Sequence, residues 1–429
     1  MHFHRTAFAL LCTTLVQGAF AADVTVFGIV DAGLTYTQAD PGHGASAKSL
    51  EMSSGNYNAN RVGLRGREDL GNGNAVGFFL ESGWNTDDGA MKTSGKLFDR
   101  GAWLWFENAN LGKLSMGRTG LLRAGSTPLN FFATGNRINP FGTGWSLISS
   151  PMLTMPHYDF LASNSLHYTS PDFSGVKIYA QYAFGGDKTG EEENKPNTDR
   201  YAAFGATLDR GAVHWMAMVD YLNEKSTGPA KTHDALTFST GGNVDVGETK
   251  LYAWAQYFKD VDRIMPLPVV SGYSLFEGLD RITGYAATLG AKIPVASATK
   301  LNLSLTYLDA ESDDDLSSAY LAANDDAMKR YGAFAGLEHK LSKRTTLYTA
   351  LGWMGDKARV ETAKGTYDDP QMFQAMGRVS TTRSENGRRM FRKVRALPAR
   401  RGARRKGPAT RRPKKGERSQ EGSPSSFPV

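Results

Sequence analysis

Arg61, Arg65 and Arg67 stand on alternate residues of a segment whose intervening positions are Val62, Leu64 and Gly66. In an extended chain successive side chains point to opposite faces, so three guanidinium groups share a face with Gly63. Such a strip makes and breaks no bonds. It acts at a distance, drawing anions and repelling cations, most strongly where low-dielectric walls focus the field. The same alternation places Asp31, Glu81, Arg100 and Arg118 on charged faces of apolar-backed segments. Arg123 and Arg137 follow within residues 119–158, a polar stretch with no Asp or Glu.

Bond-making chemistry finds no support elsewhere. Residues 42–49 approach a phosphate-binding loop, but Ala47 stands where glycine is required and no strand-to-helix context follows. There is no G-x-S-x-G elbow and no H-E-x-x-H pair. The histidines His43, His157, His167, His214, His233 and His339 are scattered without ligand spacing. The single cysteine, Cys12, lies in the leader described next, which excludes disulfides, thiol catalysis and cysteine–zinc sites from the remainder. No metal, cofactor or catalytic activity is expected. An acidic run, Asp309 to Asp315, is a solvated charge cluster in a long connection.

The elements that hold these residues are strands. Residues 1–21 combine a basic start, a short apolar core and Ala19-Phe20-Ala21, the pattern of a secretory signal peptide. Beyond it no apolar run reaches the roughly 18 residues of a spanning helix. A mean hydropathy of −0.39 with 22% charged residues excludes a helical membrane protein. Period-two alternation recurs at 176–184, 201–208, 301–307 and 345–353. Short connections (69–73, 108–112, 341–344) contrast with long ones (38–58, 119–163, 185–199, 309–329). Short turns at one end and long loops at the other describe a transmembrane barrel. Divided among 16 strands, residues 22–377 give about 22 residues per strand and connection, enough for a spanning strand. A charged face must then look inward, because Arg or Lys toward lipid at midplane costs about 2–4 kcal/mol each. An exported β-barrel hydrolase of the outer membrane and a soluble all-β adhesin are the rival readings.

Four blocks carry a more specific signal. They are Val24 to Gly33, Asn60 to Gly83, Leu97 to Gly142 (with Leu97-Phe-Asp-Arg-Gly-Ala-Trp103, Leu114-Ser-Met-Gly-Arg118 and Asn139-Pro-Phe-Gly142) and Asn164 to Gly175. A fifth, Leu341 to Tyr348, follows near the end. In this order and spacing the chain resembles the trimeric general porins of Gram-negative outer membranes, in their neisserial and β-proteobacterial branch. The resemblance covers about residues 22–377. It implies an all-β fold, a 16-stranded antiparallel transmembrane β-barrel with an inward-folded constriction loop. It also implies a homotrimer among outer-membrane lipid and lipopolysaccharide, inserted by the outer-membrane assembly machinery, passing small ions and hydrophilic solutes by diffusion. The constriction loop would include Asn139, Pro140 and Phe141. Nucleic acid is not an expected partner. Pore-lining candidates are Asp31, Arg61, Arg65, Glu81, Arg100, Arg118, Arg123 and Arg137, and their balance implies a basic, anion-preferring eyelet. Trp103, Trp105, Tyr179, Tyr182, Tyr348 and Trp353 are expected in aromatic girdles at the membrane interfaces.

The last segment breaks the pattern. Residues 378–429 hold 17 Lys+Arg against 3 Asp+Glu, whereas the preceding residues hold 33 against 40. The high sequence pI belongs to this tail, not to the barrel. Because the break falls inside the expected closing strand, residues 378–429 read as a basic disordered tail produced by out-of-frame translation. Arg378 and Arg383 are expected to spoil pairing between the first and last strands. Sequencing the locus is expected to show a frame change near codon 377; a single intact frame through the tail overturns this reading.

Overall fold

On several long strands the polar positions are buried and the apolar ones exposed, the reverse of a soluble sheet. In residues 301–307 the buried side chains are Asn302, Ser304 and Thr306, while Leu303 and Leu305 are exposed. Phe204, Leu251, Leu289 and Leu351 are likewise exposed. A closed sheet with lipid outside explains this. Every strand N–H and C=O must be paired within the protein because hydrocarbon offers no partner.

The computed structural model describes residues 23–42, 44–55, 58–123, 137–142, 161–184, 199–223, 234–261, 264, 267, 281–312, 327–362 and 365–386. Residues 1–22, expected above to include a signal peptide, and residues 387–429 lie outside them. Nineteen strands follow in order. The first eight are β1 (Asp23–Asp40), β2 (Ala47–Ser54), β3 (Arg61–Gly71), β4 (Asn74–Gly83), β5 (Gly101–Asn108), β6 (Gly112–Gly120), β7 (Leu161–Thr169) and β8 (Val176–Phe184). β9 (Arg200–Arg210), β10 (Val213–Asn223), β11 (Ala235–Val246), β12 (Thr249–Val261), β13 (Ile282–Ala296) and β14 (Thr299–Ser312) come next. β15 (Ala327–Lys340), β16 (Thr345–Lys357), β17 (Arg359–Thr362), β18 (Gly365–Asp368) and β19 (Gln371–Asn386) complete the strands of the described residues. β17 and β18 form a separate hairpin, and the other 17 strands form one antiparallel sheet closed by β1–β19 pairing.

Two of those strands share a position in the ring. β1 pairs with β3 through residues 23–29 and with β2 through residues 32–39, so β2 and β3 are two halves of one stave. The barrel therefore has 16 staves, as expected from the length arithmetic. Connections at the β1 N-terminal end are short, from Asn72-Gly73 to residues 170–175, and those at the opposite end are longer. Asn72 and Gly73 both take positive φ, 52° and 76°. Two-residue hairpin turns need that geometry to match the strand twist, and Asn-Gly adopts it most readily.

The expected defect at the closing strand does not occur. β19 continues nine residues past Gly377 and pairs with β1 from Asp40↔Gln371 to Thr25↔Asn386. Alternation persists across the supposed break: Met376, Arg378 and Ser380 are buried, and Val379 is exposed. Arg378 is accommodated because it faces inward. The seam is thus fully laddered by residues that composition alone assigned to the tail.

Ending the chain at Asn386 is expected to preserve a heat-modifiable barrel on gels. Ending it at Gly377 removes the rungs from Gly33↔Arg378 to Thr25↔Asn386 and is expected to abolish it.

Candidate functional site

The inner face of β3–β5 is built by parity. Register pairs Arg61 with Gly83, Gly63 with Glu81, Arg65 with Phe79, and Phe79 with Trp103. Val62 and Leu64 are exposed on the opposite, outer face. Glu81 is buried and receives two arginines on one oxygen: Arg100 Nε lies 2.8 Å and Arg61 Nη1 3.8 Å from Oε1. One carboxylate therefore serves two guanidinium groups. Arg65 is exposed to the lumen, its guanidinium 5.7 Å from the Phe27 ring centroid. Phe27 meets Phe79 at 5.4 Å, and Phe79 stacks on Trp103 at 4.2 Å.

Asp31 sits at a different point, where β1 changes partner. Its N–H donates to Asn60 Oδ1 at 2.6 Å, and its C=O accepts from Gly55 N and Thr86 Oγ1. These contacts satisfy the backbone where the β1 ladder passes from β3 to β2. The carboxylate is fully buried, accepts the Tyr348 hydroxyl at 2.8 and 3.0 Å, and lies 4.0 Å from Arg378 Nη1. Arg378 also donates to Ser53 O at 2.8 Å and reaches Thr35 and the Ser53 hydroxyl. Asp31 therefore ties β1, β16 and β19 together at the seam.

Arg123 and Arg137 lie inside the barrel. After β6 the chain turns inward: Leu122 N donates to Gln181 Oε1 at 2.6 Å, and Leu121 and Leu122 are buried. Arg123 Nη1 meets Asp220 Oδ1 at 2.8 Å, both side chains 1% exposed. Thr237 Oγ1 donates to the other Asp220 oxygen. Residues 137–142 pack on the inner wall. Arg137 grips Asp209 through two bonds of 2.9 Å, and its carbonyl accepts from Asn243 Nδ2 at 2.7 Å. Asn139 caps the turn by accepting from Phe141 N, and Phe141 meets Phe334 edge-on at 6.5 Å. Pro140 lies so close to Gly290 that a Cβ there would sit 2.6 Å from its Cδ. Only glycine leaves room for this approach.

Arg118 departs from its expected position. It pairs with Ala102, two residues along from the Leu104↔Met116 pair, and so shares the outward face of Met116 and Leu114. Its guanidinium is anchored to Asp99 O and Ser163 Oγ, at 2.6 and 2.9 Å. The β6–β7 register shifts between Gly117 and Thr119, where a simple count of alternate residues no longer reports the neighbours. The aromatic girdle also needs correction. Trp103 and Tyr348 are buried inward, and Trp105 and Tyr179 pair with inward-facing Ser115 and Gly205. Tyr182 and Trp353 face outward, as expected.

Sequence reading missed Asp209, Asp220 and Tyr348, which partner the candidates. Parity was the available signal: Met216, Met218 and Asp220 share the buried face of β10. What the sequence lacked was the pairing across the lumen from β6 to β10.

These features are a ring of staves, apolar outside, with charged groups and an inward chain segment inside. The family profile described as Gram-negative porin matches residues 7–359. The chain belongs to the Gram-negative porin family. Its relatives include an outer membrane porin protein of Bordetella pertussis, 26% identical over 392 residues, covering 83% of this chain and 96% of the relative. Outer membrane porin protein 32 of Delftia acidovorans is 28% identical over 357 residues, covering 81% and 88%. Among solved structures, the anion-selective porin from Comamonas acidovorans superposes with a TM-score of 0.60 at 22% identity, covering 84% of this chain and all of that one. A trimer form of OmpT from Vibrio cholerae gives 0.55 at 14% identity, covering 84% and 99%. This porin is an outer-membrane protein, as its family and relatives are.

The buried Arg123–Asp220 pair generates a test. Arg123→Gln removes the arginine that opposes the buried Asp220 carboxylate and is expected to destabilise the porin by about 3–5 kcal/mol. Arg123→Gln with Asp220→Asn is expected to recover most of the loss, read as urea midpoints of the folded barrel.

Proposed function

We propose that this porin is an anion-preferring diffusion pore for small hydrophilic solutes, exported by its first 21 residues and assembled as a homotrimer in lipopolysaccharide-containing membrane. The observation that carries the selectivity is the β3–β5 wall, where Arg61 and Arg100 both approach Glu81 and Arg65 is exposed on the same face. The surplus is positive, and walls of low dielectric focus it on passing ions. The inward segment at Asn139–Phe141 narrows the path past this wall. Its own arginines add little to the field, because Asp220 and Asp209 oppose Arg123 and Arg137. Anion preference thus rests on the wall rather than on an acid-poor loop. The Comamonas porin of the same fold, which is anion-selective, and the trimer form of OmpT support this reading.

In a planar bilayer under a potassium chloride gradient, the reversal potential is expected to carry the sign of anion preference. Arg61→Gln with Arg100→Gln is expected to move it toward or past zero. Cation preference in the unaltered protein removes the proposal.

A further inference from the structure

A second basic region lies on the wall across the lumen from β3–β5. Lys250 and Lys292 are directly paired across β12 and β13, and Lys292 is paired in turn with Asn302 on β14. Asn302 is buried, so this line of residues faces inward. Lys300 pairs with Glu338, and Glu338 with Tyr348, another buried and inward residue. Lys340 pairs with Thr346 two residues from Tyr348, on the same face. Lys250 and Lys292, together with Lys300 and Lys340, therefore gather on the inner wall close to the short-turn mouth. Short turns mark the periplasmic end of outer-membrane barrels.

The local charges do not balance. Lys250 is occupied by Asp245 at 2.5 Å and by Asn243 Oδ1 at 2.8 Å. Lys292, Lys300 and Lys340 surround one carboxylate, Glu338, whose nearest approach to Lys292 is 3.8 Å. Lys292 also experiences the positive charges of the other three lysines. Like charges placed opposite each other destabilise a sheet, so this arrangement has a cost with no structural return. Asn302 supplies an independent sign of a ligand. It is 0% exposed, and among the described residues neither its Nδ2 nor its Oδ1 has a hydrogen-bond partner. A buried amide without partners carries a desolvation cost that a ligand would relieve.

We infer that Lys292, Lys300, Lys340 and Asn302 form a discrete periplasmic-side station for a phosphate-type divalent oxyanion. The inference deepens the anion-pore reading and rests on it. Neighbouring strands lie about 4.8 Å apart, and long lysine side chains from β13, β14 and β15 can converge from there on one tetrahedral anion. A monovalent sphere such as chloride cannot engage all of them. Net positive charge after Glu338 matches two negative charges.

The test uses the full chain in planar bilayers, with chloride as carrier and inorganic phosphate as blocker. Phosphate is expected to reduce the chloride current at concentrations where acetate of equal total charge does not. Lys292→Gln is expected to raise the half-blocking concentration about fivefold, as loss of one partly screened charge contact implies. Lys292→Arg is expected to keep the block. If Lys292→Gln fails to give a heat-modifiable barrel, Lys300→Gln with Lys340→Gln, both nearer the strand ends, gives the same reading. Equal block by acetate, or a half-blocking concentration unchanged in both variants, overturns the station while the chloride current leaves the pore standing. A folded barrel with no chloride current overturns the pore and the station together.

Discussion

A chain that crosses hydrocarbon as strands has to pair every backbone group with itself, and the sheet must close. Everything else in this porin is arranged around that closure. β1 carries the heaviest demand because it borders β19 on one side and two successive strands, β3 and β2, on the other. At the handover the ladder lapses, and Asn60, Gly55 and Thr86 supply the missing partners of Asp31. The carboxylate of Asp31 then binds Tyr348 and faces Arg378, so one residue joins backbone repair to the seam between first and last strands.

Closure also sorts the charges. Lipid excludes them from one face, so they accumulate on the other, where pairing decides which of them a permeating ion meets. Arg330 and Asp356 are buried against each other at 2.6 Å, and Arg123 and Asp220 at 2.8 Å. The second pair fixes the position of the inward chain, the first joins neighbouring strands β15 and β16, and both present little net field. Arg61 and Arg100 both approach one oxygen of Glu81. The distinction is geometric: a count of basic residues overstates the field, because wall carboxylates from distant strands neutralise the loop.

The interior is not uniformly wet. Leu121, Leu122, Ile138 and Phe141 from the inward segments are buried with Met216, Met218 and Phe258 of the wall, forming an apolar cluster inside the barrel. Inward-facing methionines and aromatics are thus seats for the folded-in chain. They explain why a few strands carry apolar residues on both faces, and why Gly290 opposite Pro140 lacks a side chain.

By itself the sequence determined the class of object. Period two, the alternation of short and long connections, and the absence of any long apolar helix leave few alternatives to a 16-stave barrel. These are local properties, set by the fixed two-residue repeat of a strand, so they are readable along the chain. Parity likewise placed Arg61, Arg65 and Glu81 on the inner face. Only the tertiary structure decided which charges are opposed, since Arg123 and Asp220 lie 97 residues apart and meet through the lumen. It also showed Arg118 on the outward face of Leu114 and Met116, and turned Trp103 and Tyr348 inward. It carried the closing strand through Arg378 to Asn386, where composition had marked a break. Composition averages over a window, whereas a strand needs only that each side chain in turn find a tolerable face. Arg378 found one beside Asp31, and the barrel closed.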